Sequence, residues 1–268
     1  MARYEQFTVG TLKPNKITKM ASADDGTKGL SYDIWHDVPL LNMAVDPMFG
    51  ITAGDDFTNI TTTGFPYLIT GINPTFLSAT ADPYGIGVLT ATGADNDACY
   101  VSYNNGLAGL IKAGASHDWA FEVYVKPSQI TLAQGVFVGL VGEAQIGTDL
   151  IATNTMALKV QDYIGFQIIA ATDVAAIWQS VYCKTSGARV AVNATAATAA
   201  VSYIKLGMKC VSGTVYFYVN GAVQSASVIN TATNFPLNVV MCPTFATKCG
   251  QATVNTLKVD WWRASQYR

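Results

Sequence analysis

The sequence of 268 residues is poor in charged side chains. Only 13% of its residues are Asp, Glu, Lys or Arg, against about 25% in ordinary soluble domains. The formal net charge is −2, and no block of Lys or Arg occurs. Because nucleic-acid binding needs a basic surface, we expect no nucleic-acid partner. So little charge suits an all-β protein, or one whose surface is partly buried in an assembly.

Long apolar runs and paired cysteines are also missing. No run of about 18 apolar residues occurs, so the sequence predicts no membrane span. Residues 1–7 contain no apolar segment, which predicts the absence of a secretory signal. None of the five cysteines stands in a Cys-x-x-Cys pair. We therefore expect small, buried, reduced cysteines rather than disulfides or a zinc site.

Acidic and histidine side chains that could support catalysis are few. The three glutamates include Glu122 and Glu143, and there are two histidines. Glycoside hydrolysis needs two carboxyl groups about 5–10 Å apart. On one strand face Glu122 has an acidic partner only in Asp118, roughly 13 Å away along the strand. Glu122 also faces away from Trp119 and Phe121, which is the position expected for a solvent-exposed carboxylate on a strand. Neither the histidines nor the cysteines match a catalytic or zinc spacing, so no catalytic residue and no enzyme are predicted.

Short apolar segments separated by Gly, Asn and Pro dominate from residue 54 onward. This pattern predicts an all-β fold, an antiparallel β-sandwich. The clearest alternation places Trp119, Phe121, Val123 and Val125 inward. Asn220-Gly221 is the residue pair that a type I′ hairpin turn favours. The run at 107–112 is expected to form one short helical turn.

The closing segment, residues 254–263, is apolar on both faces. Strict alternation places Leu257, Val259 and Trp261 on one face and Trp262 on the other. We therefore expect Trp261 in the core. Trp262 is expected beneath the N-terminal arm or at a subunit contact, since a strand that is apolar on both faces is covered on both.

Residues 1–53 hold neither a strand nor a helix period for long, yet they carry large apolar side chains. The sequence predicts an irregular N-terminal arm at 1–53 and a sandwich domain at 54–268. Such an arm packs on its own domain or on a neighbouring subunit, and we favour the neighbour. The residues expected to contact a partner are Trp35, Leu40, Leu41, Met43, Met48, Phe49 and Trp262.

Two further features are candidate ligand sites. Asp95 and Asp97 form the one weak candidate for a calcium site, although a turn in which Asp and Asn bond their own backbone is favoured. No other cofactor or metal is expected. Tyr216 and Tyr218 on one sheet face could stack sugar rings, but burial against a layer or partner is favoured.

The ordered landmarks resemble a family of virion-associated proteins of tailed bacteriophages with a concanavalin A-like, LamG-type jelly roll. The resemblance covers residues 54 to 268, and its landmarks are Gly54–Phe57, Gly87–Ala98, Trp119–Lys126, Val136–Leu140, Asp149–Leu150, Asp162–Phe166, Leu206–Met208, Gly213–Gly221 and Leu257–Arg263.

The resemblance implies a non-enzymatic capsid decoration or cement protein that binds the lattice of the major capsid protein. It also implies that the protein forms a homo-oligomer, either a trimer or a dimer. We expect the protein to be synthesised in the host cytoplasm and to lie on the capsid surface of the virion. The alternative is a glycan-binding module of a tail fibre or baseplate. A sandwich glycosidase using Glu122 or Glu143 is a third hypothesis.

Overall fold

The computed structural model describes residues 29–46, 48–57, 66–78, 85–103, 109–114, 117–130, 134–145, 149–153, 156–169, 177–192 and 201–267. Within these residues the chain is mostly β-strand. Its helices are α1 (Tyr32–Trp35), α2 (Leu40–Val45) and a 3₁₀ turn (Glu143–Gln145). Its strands are β1 (Gly50–Asp55), β2 (Tyr67–Ile72), β3 (Pro74–Ser78), β4 (Gly87–Ala91), β5 (Ala98–Tyr103), β6 (Ile111–Lys112), β7 (Trp119–Pro127), β8 (Gln134–Gly142), β9 (Tyr163–Ile169), β10 (Gln179–Cys183), β11 (Val190–Val192), β12 (Ile204–Val211), β13 (Thr214–Val219), β14 (Ala222–Ile229), β15 (Val240–Cys249) and β16 (Asn255–Tyr267).

The strands form two antiparallel sheets packed face to face, which confirms the predicted sandwich. Sheet 1 has the order β14-β13-β12-β7-β16-β4-β3, and β1 pairs with the last part of β16. Sheet 2 has the order β11-β10-β9-β8-β15-β5-β2, and β6 pairs with β15. The layers are thus built from strands distant in sequence, with β7 and β16 in the middle of sheet 1 and β8 and β15 in the middle of sheet 2.

Alternating side chains of both sheets fill the space between them. The predicted inward residues Trp119, Phe121, Val123 and Val125 are buried in the main core. Asn220 and Gly221 have φ values of 50° and 80°, as a type I′ turn requires. Both predictions are confirmed. All five cysteines are buried and unpaired, and burial raises the pKa of Cys99 to about 12.

A β-bulge in β16 reverses the predicted orientation of the two tryptophans. Val259 pairs with Val125, but Trp261 pairs with Tyr124, so Asp260 is an extra residue in β16. A bulge of one residue moves every following side chain to the opposite face. Trp262 is therefore in the core at 1% exposure, and Trp261 faces outward. The expectation for this pair was wrong.

The described part of the N-terminal segment packs on its own domain. Residues 29–46 lie on the outer face of sheet 1, where Ile34, Trp35 and Met43 form a cluster with Ala120 and Tyr218. We favoured packing of this segment on a neighbouring subunit, but the described residues pack on the same chain, which was the alternative. The remainder of the expected arm, residues 1–28, lies outside the described residues.

Several local predictions need correction. Residues 50–53 were assigned to the irregular arm, but they belong to β1, which pairs with β16 from Gly50 to Asp55. Ile111 and Lys112 form a strand instead of the expected helical turn, while 107 and 108 lie outside the described residues. The division into 1–53 and 54–268 stays a prediction, although β1 runs across its boundary. In the part of the chain that is described, no helix has the length and apolarity to cross a membrane.

Candidate functional site

An open cleft of about 570 Å³ lies where β1, β16 and the N-terminal segment meet. Its lining combines acidic, basic, aromatic and small residues, namely Gly29, Leu30, Gly54, Asp55, Asp56, Trp261, Trp262 and Arg263. The volume is that of ordinary small-ligand sites, which measure about 300–1,000 Å³. Two carboxylates, one guanidinium and an indole at one cleft make it the candidate site.

Asp55 is fixed by a chain of hydrogen bonds that begins in the core. The indole Nε1 of Trp262 donates to the Tyr67 hydroxyl over 2.7 Å. That hydroxyl donates to Asp55 Oδ2 over 2.9 Å, and the Phe57 amide donates to Oδ1 over 2.8 Å. Burial, followed by the charge of Asp55, raises the pKa of Tyr67 well above its usual range. Tyr67 therefore stays protonated and holds the Asp55 carboxylate in one orientation.

Arg263 lies across β1 because Gly54 has no side chain. A Cβ at Gly54 would lie 2.9 Å from Arg263 Nε and 2.6 Å from the Trp262 carbonyl oxygen. Burial lowers the pKa of Arg263, and the charge of Asp56 acts in the opposite direction. A guanidinium has a pKa far above neutrality, so it stays protonated. The cleft thus holds a fixed group of N–H donors beside an exposed carboxylate.

Gly54→Ala is expected to displace the Arg263 side chain and to strain the pairing of β1 with β16. The added methyl group would overlap a backbone oxygen that cannot move freely. We expect a loss of about 1–3 kcal/mol in unfolding free energy, measured by urea denaturation. Ala53→Ser, on the same strand, serves as the control. Unchanged stability of Gly54→Ala would contradict this packing.

Trp261 is the end of a row of three stacked aromatic rings on the outer face of sheet 1. The Trp261 and Tyr124 rings stack with centroids 6.2 Å apart, and Tyr124 and Tyr203 stack at 4.9 Å. Lys126 Nζ lies 5.9 Å from the centroid of the Tyr203 ring. These rings restrict the indole to one orientation. Tyr124 covers one face of Trp261, and Trp261 itself lines the cleft.

Glu122 is fully buried, so the expectation of a solvated carboxylate was wrong. It does face away from the core, but residues 31–35 cover it. Glu122 Oε2 accepts hydrogen bonds from Trp35 Nε1 over 2.7 Å and from the Ser31 amide over 3.0 Å. Burial raises the pKa of Glu122, opposed by these hydrogen bonds and by the charge of Lys205. Its role in the structure is to bind the N-terminal segment.

Glu122 and Glu143 cannot act together on one glycosidic bond. Glu122 belongs to β7 of sheet 1, and Glu143 follows β8 of sheet 2. Catalysis of glycoside hydrolysis needs carboxyl groups within about 10 Å on either side of the bond, but these two belong to opposite layers. Glu143 accepts a hydrogen bond from the Gly109 amide at the surface. The carboxylates of the candidate cleft are instead Asp55 and Asp56.

The Asp95–Asp97 loop has the geometry of a turn. Asp97 is buried and accepts hydrogen bonds from Thr92 Oγ1 (2.8 Å), the Ala94 amide (3.0 Å) and Asn73 Nδ2 (3.3 Å). These bonds lower the pKa of Asp97, and the bond from the Ala94 amide contributes most to that shift. Both of its oxygens are occupied, and Asp95 is exposed. Among the described residues no group of three or more His, Cys, Asp or Glu could hold a metal ion.

The residues expected to contact a partner occupy different environments. Trp35 and Met43 are buried on sheet 1, and Leu40 is half-buried beside them. Trp262 is in the core, so it is unavailable to a partner. The remaining three are exposed, namely Leu41, Met48 and Phe49. For these three, partner contact stays a prediction.

Most residues of the cleft belong to landmarks of the resemblance, but the sequence did not predict that they lie together in the fold. Gly54–Phe57 and Leu257–Arg263 were landmarks of the resemblance, but they stand about 200 positions apart in the chain. The local signal was weak, because adjacent Asp residues are common in turns. The pairing of Gly54 with Arg263 and of Asp55 with Trp262 brings the two segments together.

Comparison with known proteins identifies the fold. A putative β-glucanase from Mycobacterium abscessus aligns with a TM-score of 0.55 and 12% identity, over 79% of this chain and 98% of that one. The Crh5 transglycosylase aligns with 0.53 and 15%, over 80% and 83%. The carbohydrate recognition domain of Emp46p aligns with 0.51 and 6%, over 78% and 94%. The fold is a concanavalin A-like jelly roll. No protein-family model and no curated protein sequence matches the chain.

These comparisons overturn two expectations drawn from the resemblance. Glycoside hydrolases and a transglycosylase recur among the solved structures that share the concanavalin A-like fold. Nothing in the comparisons points to a bacteriophage origin. The capsid decoration role and the prediction that the chain is not an enzyme were therefore wrong. The capsid partner, homo-oligomeric state and virion location were inferred from that role and stay untested predictions.

Proposed function

We propose that the protein binds a carbohydrate chain in the cleft where β1, β16 and the N-terminal segment meet. The observation that carries this proposal is the combination of Trp261 with Asp55, Asp56 and Arg263 at one opening. An indole face packs against the C–H groups of a sugar ring, while carboxylates and a guanidinium bond to its hydroxyls. Solved proteins with similar folds include glucanases and a carbohydrate recognition domain, which supports the proposal.

The order of the lining residues suggests how a sugar would sit. Trp261 offers an apolar wall on the β16 side, and its stacking with Tyr124 prevents it from turning away. Asp56 follows β1 beside Arg263, whereas Asp55 pairs with Trp262 and directs its carboxylate to Tyr67 on the inner face of sheet 1. A ring against the indole would direct its hydroxyls toward Asp56 and Arg263. A wall of this kind, already oriented before binding, reduces the entropy lost on association.

Trp261→Ala is expected to weaken binding at least about tenfold, because a tryptophan in the centre of a site contributes much of its binding energy. The measurement is calorimetry with the tightest ligand found among cello-, laminari-, manno- and chito-oligosaccharides. Phe49→Ala is the matched control, since Phe49 is also an exposed aromatic residue outside the cleft lining. Equal affinity of Trp261→Ala and wild type would refute the proposed site.

Cleavage or transfer of glycosidic bonds is the second candidate function. It is favoured by the presence of two carboxylates, Asp55 and Asp56, at one cleft, since both reactions use a carboxyl pair. Tyr67 fixes Asp55 in one orientation, while Asp56 is exposed beside Arg263. The chemistry would need Asp56 to approach the bond from one side and Asp55 from the other.

The catalytic hypothesis is tested by release of reducing ends and of transfer products from the same oligosaccharides. We expect Asp55→Asn and Asp56→Asn each to lower the rate at least a hundredfold, while Trp261→Ala raises KM more than it lowers kcat. Glu143→Gln is the control, with an unchanged rate. Binding without turnover in the wild type would leave carbohydrate recognition as the function and exclude catalysis.

A further inference from the structure

Two lysines lie directly opposite each other on the outer face of sheet 1. In the register of β16 with β7, Lys258 pairs with Lys126, and both residues are half-buried. Their neighbours in the chain, Val259 and Val125, are in the core, so the two lysine side chains face outward. Like charges directly opposite each other on adjacent strands destabilise a sheet. The pair therefore weakens the sheet that carries it.

The positive charges of this pair are not neutralised within the described part of the chain. No carboxylate of the described residues forms an ion pair with either lysine. Asp260, the acidic residue nearest to Lys258 in the chain, has another interaction partner. The Lys126 ammonium lies 5.9 Å from the centroid of the Tyr203 ring. An aromatic ring attracts a cation but does not cancel its charge.

The lysine pair continues the line of outward-facing residues that leads out of the cleft. Along β16 these residues are Arg263, Trp261 and Lys258, with the bulge between the last two. On β7, Lys126 follows Tyr124, the partner of Trp261, by two residues, which is about 7 Å along a strand. A chain-like ligand that starts in the cleft and runs along β16 therefore reaches the two ammonium groups.

We infer that the carbohydrate is an acidic glycan, with a sulfate or carboxylate group held between Lys126 and Lys258. The inference rests on the proposed function and names the class of glycan for it. A sulfate or carboxylate group has several oxygen atoms that accept hydrogen bonds from two ammonium groups, and such charge-assisted bonds are the strong ones. The anion also offsets the repulsion between the two lysines. This contact depends on the ammonium groups alone and requires no change in the aromatic row.

The test compares neutral oligosaccharides with acidic forms of the same oligosaccharides. Cello-, laminari-, manno- and chito-oligosaccharides are measured by calorimetry before and after sulfation, and before and after oxidation of their primary alcohols to carboxylates. We expect the wild-type protein to bind an acidic form at least about fivefold more tightly than the neutral form at low salt. The preference should shrink at about 0.5 M salt, since salt screens exposed charges.

Lys126→Gln and Lys258→Gln should each lower this preference about twofold, and the double variant should abolish it. Affinity for the neutral form should stay unchanged. In urea denaturation neither variant should be less stable than the wild type, because each removes a like-charge contact. A lysine with a purely structural role would instead lose stability on substitution. Lys184→Gln is the matched control, since Lys184 is an exposed lysine that follows β10 of sheet 2, and it should keep the full preference.

Four outcomes would contradict the inference. Equal binding of acidic and neutral forms by the wild type would overturn it while the proposed function stands. Binding of no oligosaccharide in either form would overturn both. A preference for the acidic form that survives in the double variant would show that the anion binds elsewhere. Binding of vesicles of anionic lipid, without binding of any acidic oligosaccharide, would show that the lysine pair contacts a membrane surface instead.

Discussion

Trp262→Ala is expected to lower the free energy of unfolding by about 3–5 kcal/mol, the range for a large aromatic residue removed from a core. The indole packs on Tyr103 with ring centroids 4.9 Å apart and lies near Phe245. The substitution also removes the indole N–H group that donates a hydrogen bond to the Tyr67 hydroxyl. Chemical denaturation followed by circular dichroism gives the value.

Trp261→Ala is the control for this prediction, because the adjacent residue is the same amino acid on the opposite face. Trp261 is partly exposed, so we expect a loss below about 1.5 kcal/mol. The comparison tests the bulge at Asp260 directly. A larger loss for Trp261→Ala than for Trp262→Ala would mean that β16 has the uninterrupted alternation expected from the sequence.

Glu122→Ala is expected to cost about 2–4 kcal/mol, because the Trp35 indole and the Ser31 amide would lose their buried acceptor. Glu122→Gln should differ from the wild type by less than about 1 kcal/mol at neutral pH. The glutamine carbonyl oxygen replaces the acceptor. Its amide group can donate to Ser31 Oγ, which lies beside the Glu122 side chain.

The pH dependence of stability separates these variants further. Burial raises the pKa of Glu122 in the folded protein above its ordinary value. Between those two pKa values the folded state binds more protons than the unfolded state, so this group makes stability fall as the pH rises. Glu122→Gln should remove that contribution and flatten the profile in the weakly acidic range. An identical pH profile for Glu122→Gln and wild type would show that the carboxyl group does not titrate as described.

Much of the sandwich could be predicted because its strands alternate with period two. The alternation at Trp119, Phe121, Val123 and Val125, for example, correctly placed these four side chains in the core. β1 was missed because Gly50-Ile-Thr-Ala-Gly-Asp has glycines at two of six positions, which weakens a strand pattern. Its pairing partner, the end of β16, lies more than 200 residues away.

The candidate site could not be predicted, since two long-range events create it. The first is the bulge at Asp260, which no local pattern marks, because Val-Asp-Trp-Trp alternates equally well in either phase. The second is the return of residues 29–35 onto sheet 1, which buries Glu122. From β7 alone, Glu122 has the pattern of an exposed residue. Only contacts across about 90 residues change its environment.

The most direct test of carbohydrate recognition is a crystal structure of the protein with a bound neutral oligosaccharide. A sugar ring packed on the face of Trp261 that is turned away from Tyr124 is the predicted result. Its hydroxyl groups should lie within hydrogen-bond distance of Asp56 or Arg263. An oligosaccharide bound on sheet 2, with the β1–β16 cleft holding only water, would contradict the account.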